Sequence, residues 1–153
     1  MHIPRPTYLP NGYEIKRIYQ YGTRLKSGDV FSHAYLLYSD GEVSFRKVES
    51  MDDLYEAFER AGKGESKLGL LVMYHQVEWA MEDVKSDAYL CAKSLKEGGA
   101  SADLVYINDI PVVWEKASSG YRLKWATPRW GFVLGGLEPL TLDELIKIAG
   151  SIK

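Results

Sequence analysis

The chain has 153 residues, a formal net charge of −2, 46% hydrophobic and 26% charged residues. A domain of this length buries roughly 68–70% of the surface its unfolded chain exposes, so it needs neither disulfides nor metal to hold a core. The charge balance gives no footprint for a nucleic-acid partner, which would require clustered Lys and Arg to displace counterions; Lys16-Arg17 and Arg46-Lys47 are too short for that.

The start, Met1-His2-Ile3-Pro4-Arg5-Pro6, carries no apolar signal-peptide core. The expected setting is therefore the cytoplasm, or the soluble part of a longer exported protein. Pro4, Pro6 and Pro10 suit an extended segment, so residues 1–12 read as a lead-in and residues 13–153 as a single α+β domain. No run approaches the roughly 18 apolar residues of a transmembrane helix. Cys91 is the lone cysteine, which excludes an intrachain disulfide and a cysteine-built zinc framework.

Tyr13 to Tyr21 reads as a strand of irregular alternation, and Phe31 to Tyr38 as a clearer one. Asp40-Gly41 tolerates positive φ and predicts a tight hairpin, with Val43 to Val48 returning against the preceding strand. Ser50 can cap a helix whose first turn holds Asp52 and Asp53, whose stripe is Met51, Leu54, Tyr55 and Phe58, and which stops at Gly62 and Gly64. Leu68 to Trp79 is a long apolar strand. A second helix is expected to open at Ser86 or Asp87 and to end before Gly98-Gly99, with Ala88, Cys91, Ala92 and Leu95 inward.

The last third reads as a meander. Asp103 to Ile107 and Ile110 to Lys116 flank a turn at Asn108-Asp109, and a second turn falls at Ser118-Ser119-Gly120. Tyr121, Leu123 and Trp125 alternate with Arg122 and Lys124, a half-buried strand pattern, and Pro128-Arg129 turns the chain into Trp130, Phe132 and Leu134. Thr141-Leu142-Asp143-Glu144 is a capping box, followed by an apolar face of Leu142, Leu145, Ile146, Ala149 and Ile152. The fold expected is α+β: an antiparallel sheet of about seven to eight strands with about three helices, in the order βββαβαββββα.

Residues able to do chemistry are sparse. His2, His33 and His75 stand outside any ligand-spaced motif. His33 and His75 would approach if their strands paired, but strand histidines with ordinary hydrogen bonds are the reading favoured, and neither a metal nor a cofactor is expected. Gly62-Lys63-Gly64-Glu65-Ser66 has a phosphate loop's residue types in the wrong order, following a helix and preceding a strand. Cys91 falls on an apolar helix face, where a thiol acts as a small hydrophobe. Asp52-Asp53 and Glu82-Asp83 suit helix starts or solvated loops.

The suggestive constellation is aromatic. Trp114, Tyr121, Trp125, Trp130 and Phe132 lie on successive strands and are the candidate ligand-binding residues for an apolar groove; the alternative is that they are core beneath the last helix.

Three stretches carry a family resemblance. Leu9-Pro10-Asn11-Gly12-Tyr13 resembles the L-P-x-G-[FY] opening of the C-terminal domain of MucB/RseB-type periplasmic regulators, and Tyr38-Ser39-Asp40-Gly41 resembles its Y-S-D-G hairpin. The ending, with Trp114, Tyr121, Leu140, Thr141, Glu144, Leu145, Ala149, Ser151 and Ile152, is similar to a related LolA-like domain of unknown function. The resemblance covers the two ends of the chain and implies an antiparallel sheet covered by helices, an extracytoplasmic setting, and binding of a lipid-like or protein partner rather than catalysis. Two alternatives stand beside a non-enzymatic binding or regulatory module. One is a small enzyme with a site around His33, His75 and Tyr35; the other is a structural domain that pairs with itself as a homodimer through a sheet edge.

Overall fold

The structure is a computed structural model that describes residues 4–24, 30–39, 68–75, 80–117, 120–137 and 140–153. Its strands are β1 (Glu14–Arg24), β2 (Val30–Ser39), β3 (Leu68–His75), β4 (Ala102–Ile107), β5 (Ile110–Ala117), β6 (Gly120–Ala126) and β7 (Trp130–Leu137); its helices are α1 (Met81–Glu97) and α2 (Leu142–Gly150). They form one antiparallel sheet in the order β1-β2-β3-β7-β6-β5-β4. The chain leaves β3 in the sheet interior, crosses through α1 to the far edge at β4, and returns strand by strand until β7 pairs with β3.

The α+β class and the antiparallel sheet stand, but the expected element list is corrected. The order among the described residues is βββαββββα, with two helices instead of three. The packed unit is the four-stranded meander β4–β7 with α1 and α2, and β1–β3 continue its ladder. The expected helix from Ser50 and the Val43–Val48 strand lie outside the described residues. The Asp40-Gly41 turn that was to lead into that strand lies outside them as well. Ser39 pairs with Glu14 on one edge and with Leu68 on the other, so β2 has both neighbours already. β3 lies between β2 and β7, and a continuous apolar run suits such an interior strand. The irregular alternation of β1 has its cause in a register shift between Ile15 and Arg17, where Lys16 is the extra residue of a bulge.

Helix α1 begins five residues earlier than Ser86. Ala80 is its N-cap and supplies no side-chain bond, but Asp83 and Val84 donate their N–H groups to the Ala80 carbonyl, and Glu82 and Asp83 face the positive helix end. Val84 extends the inward stripe to Val84, Ala88 and Ala92 at i, i+4 spacing, with Cys91 and Leu95 beside it. Ala88, Cys91, Ala92 and Leu95 pack with Val113 and Leu104.

Helix α2 covers the opposite face. Val113 faces α1, so its neighbour Val112 falls on the other side of the pleat, in the main core with Met73, Leu123, Leu134, Leu145 and Ile148. The capping box at its start is formed: Glu144 N–H donates to Thr141 Oγ1 and Thr141 N–H donates to Glu144 Oε1, each at 3.2 Å. Its buried residues are Leu145, Ile148 and Ala149, so Ile148 joins the expected face, while Ile152 lies beyond the helix end.

Gly136 of β7 decides how close α2 comes. A Cβ there would sit 2.8 Å from Leu145 Cδ2 and 2.9 Å from Leu140 Cδ1. Both leucines are buried, Leu145 completely, so neither side chain has space to retreat into. Gly136→Val is expected to cost about 1–3 kcal/mol through overpacking. Thr141→Ala is expected to cost about 0.5–2 kcal/mol through loss of the cap. Urea denaturation monitored by circular dichroism measures both, and an unchanged midpoint for Gly136→Val would mean that α2 docks less tightly than described.

Candidate functional site

Strand parity puts the five aromatic residues on the α2 face. Trp114 pairs with Leu123, Trp125 with Phe132, and Leu123 with Leu134, and directly opposed residues share a face. Along β6 the sequence on this face is Tyr121, Leu123, Trp125. The fully buried Leu123 and Leu134 therefore separate two aromatic groups, in the same core cluster as Leu145 and Ile148 of α2.

The structure divides the candidates accordingly. Trp114 and Tyr121 meet edge to face, with centroids 6.2 Å apart and planes at 64°. Lys116 Nζ lies 5.9 Å from the Tyr121 ring centroid. This pair packs at the border of the core. Trp125 and Phe132 stack at 4.9 Å and 14°, and at 8% and 4% exposure they belong to the core. Trp130 is half-buried.

Trp125, Trp130 and Phe132 nevertheless share an open cleft of ≈ 240 Å³ at the end of the sheet. Around these rings, the β4–β5 hairpin contributes Ile107, Asn108 and Ile110, and Val112 follows on β5. The other side is closed by Ala149 and Gly150 of α2, by Ile152 and Lys153, and by Pro4 of the lead-in. Apolar side chains dominate the lining, with Asn108, Thr127 and Lys153 as its polar members.

Each contributing segment is held by local chemistry. Asn108 and Asp109 have φ of 50° and 65°, the positive values that a two-residue type I′ hairpin requires at both central positions. Asn and Asp tolerate that region better than other non-glycine residues, which is why the Asn-Asp pair marks this turn. Trp130 is fixed by the β6–β7 connection. Its N–H donates to Thr127 Oγ1 at 3.1 Å, and its carbonyl accepts from Thr127 N–H at 2.7 Å.

The described part of the lead-in, from Pro4 on, is tied to the end of the chain. Arg5 and Lys153 exchange both backbone hydrogen bonds at 3.0 Å, and Pro6 pairs with Ile152 in an antiparallel bridge. Ser151 is the latch: its Oγ accepts from Thr7 N–H at 3.2 Å and Tyr8 N–H at 3.1 Å, and donates to the Ile148 carbonyl at 2.7 Å. The Thr7 hydroxyl donates to the Ser151 carbonyl at 2.8 Å. The Ala-x-Ser-Ile ending thus serves the chain ends: Ala149, Ile152 and Lys153 line the cleft, and Ser151 clips the strap that carries Pro4 to it.

The remaining candidates do not converge. His33 pairs with Tyr74, the neighbour of His75, so the two histidines hold positions of opposite parity in the pleat and do not meet across the ladder. Tyr35 pairs with Val72. His2, Asp52-Asp53 and the Gly62–Ser66 stretch lie outside the described residues. Cys91 is half-buried and packs with the Ala88, Ala92 and Val113 cluster. Among the described residues no group of three or more His, Cys, Asp or Glu is arranged to hold a metal ion. No helix there is long and apolar enough to cross a membrane.

Sequence reasoning reached Trp125, Trp130 and Phe132 but not Pro4, Ile107, Ile110, Val112, Ala149 or Ile152. These are ordinary apolar residues spread over the whole chain, and only tertiary pairing brings them to one end of the sheet. The comparisons with known proteins add no relative: no protein-family model matches the chain, and no curated protein or solved structure does.

Two outcomes follow. Trp125→Ala is expected to lose about 3–5 kcal/mol because it removes a stacked core ring, whereas Trp130→Ala loses clearly less; chemical denaturation of the two variants separates them. Ser151→Ala is expected to speed amide exchange at Tyr8, whose N–H loses the Ser151 hydroxyl, more than at Thr7, whose N–H keeps the Ser151 carbonyl at 3.1 Å, and to leave α1 protection unchanged; hydrogen exchange read by NMR checks this.

Proposed function

We propose that the protein is a non-enzymatic binding module that holds an apolar group in the cleft of Trp125, Trp130 and Phe132. The observation that carries this reading is the cleft itself, a concave, mostly apolar site with a few polar atoms at its border. What supports binding over catalysis is the scatter of the reactive residues. His33 and His75 hold opposite parity, and Cys91 is packed as a hydrophobe.

The size of the cleft narrows the guest. At ≈ 240 Å³ it is smaller than the roughly 300–1,000 Å³ of sites that enclose a drug-sized ligand. The guest is an anchor: the end of an acyl chain, or one large apolar side chain of a protein partner, with the rest of the molecule outside. Trp114 and Tyr121 take no part in this contact. A lipid-like or protein ligand of this kind agrees with the resemblance of the chain's ends to the MucB/RseB-type and LolA-like domains, and with their extracytoplasmic setting.

The test is a titration of intrinsic tryptophan fluorescence with decanoate and with lysophosphatidylcholine below its micellar concentration. A saturable blue shift is expected in the wild type. It should be lost in Trp130→Ala, a variant that keeps its thermal transition because Trp130 lies outside the Trp125–Phe132 stack. Absence of any saturable change in the wild type with either probe would sink the reading of an apolar anchor site.

A further inference from the structure

The strap from Pro4 to Tyr8 and the cleft are built from the same residues. Pro4, Ile152 and Lys153 line the cleft. The ladder that holds the strap runs through them: Arg5 exchanges both backbone hydrogen bonds with Lys153, and Pro6 pairs with Ile152. One side of the cleft is therefore complete only while the strap is docked. The opposite side is independent of it, because Val112, Trp125 and Phe132 are held within the sheet and Ala149 by α2.

The strap is also the part of the site that opens most readily. Arg5, Thr7 and Tyr8 are exposed and Pro4 and Pro6 are half-buried, so little apolar area holds it. Its hydrogen bonds to Ser151 lie at the surface. Sparse apolar contact and solvent-exposed backbone bonds are the conditions for local opening without global unfolding. The opening is bounded on both sides. Leu9 packs against the main core, Pro10 is buried, and Tyr13 N–H donates to the Pro10 carbonyl at 2.9 Å. Across the ladder, Ser151 and Ile152 N–H donate back to the Ile148 and Ala149 carbonyls at 3.1 and 3.3 Å, so the tail keeps its own hold on α2. An opening therefore removes Pro4 from the cleft wall and strips Lys153 of its backbone partner.

We propose that the strap is the regulatory wall of the cleft, and that strap and guest bind the domain cooperatively, each strengthening the hold of the other. This rests on the reading of the cleft as an apolar anchor site. The sign of the coupling follows from the geometry. The cleft keeps ≈ 240 Å³ of space with the strap docked, so Pro4 is a wall and not a plug. A guest gains Pro4 as an apolar neighbour, and a fixed Ile152 and Lys153, only in the docked state. A ligand that prefers one state shifts the equilibrium towards it, and linkage makes the effect reciprocal. Residues outside the core thereby set how tightly the cleft holds its guest.

Hydrogen exchange read by NMR, with and without saturating decanoate, tests the coupling. Exchange at Arg5, Tyr8 and Lys153, whose N–H groups are bonded across the strap, is expected to slow roughly five-fold or more in the wild type, the lower end of ordinary couplings between sites. Pro4→Ala removes the wall contact and no backbone donor, and is expected to lose most of that slowing. The double variant Arg5→Pro with Ser151→Ala, which undoes bonds at both ends of the strap, is expected to bind decanoate roughly five-fold or more weakly in the fluorescence titration. A saturable tryptophan shift in the wild type, with strap exchange slowed no more than in Pro4→Ala, overturns the coupling and leaves the anchor site standing. A folded double variant that binds as tightly as the wild type overturns it in the same way. No saturable shift in the wild type removes the anchor site and the coupling together.

Discussion

The contact between α2 and the sheet at Gly136 is the constraint on which the rest depends. Leu140 and Leu145 occupy the space where any other residue of β7 would place its Cβ. That approach seats Leu145 and Ile148 in the same buried cluster as Leu123 and Leu134 and seals the middle of the face. A helix of nine residues is too short to cover a sheet of this width, so what lies beyond its ends stays partly open. At its C-terminal end the uncovered surface is the cleft.

The same contact sorts the aromatic residues. Core and groove are not alternatives for the set as a whole. Trp125 and Phe132 form a stacked pair that is core on one side and cleft lining on the other, while Trp114 and Tyr121 make a separate edge-to-face pair. Trp130, at the start of β7, is the partly exposed member at the border. Aromatic rings favour such a boundary because they bring large apolar area with a polar tip.

The second organising feature is how exposed backbone groups are satisfied. At the chain ends, Arg5, Thr7 and Tyr8 find partners in Ser151 and Lys153, which turns an extended proline-rich segment into a wall of the cleft. At the β4 edge, Leu104 finds its partner in its own neighbour's carboxylate. The first device closes the domain on itself. The second satisfies an outward donor in the middle of the sheet's last strand.

The sequence by itself determined what depends on neighbours close in the chain. The alternation of Tyr121, Leu123 and Trp125, the Asn108-Asp109 turn and the Thr141–Glu144 capping box were all legible, because each is fixed by local backbone geometry or by a side chain reaching three residues along. Helix α1 was legible in its inward face but not at its start, since Ala80 has no capping side chain to announce it. Tertiary structure alone decided which strands are neighbours. β2 is flanked by β1 and β3, because pairing is settled by competition among all strands for buried edges. It also decided which aromatic rings share a cleft and which backbone groups of β4 remain outward, since both follow from register, and register is a property of two strands that neither one's sequence contains.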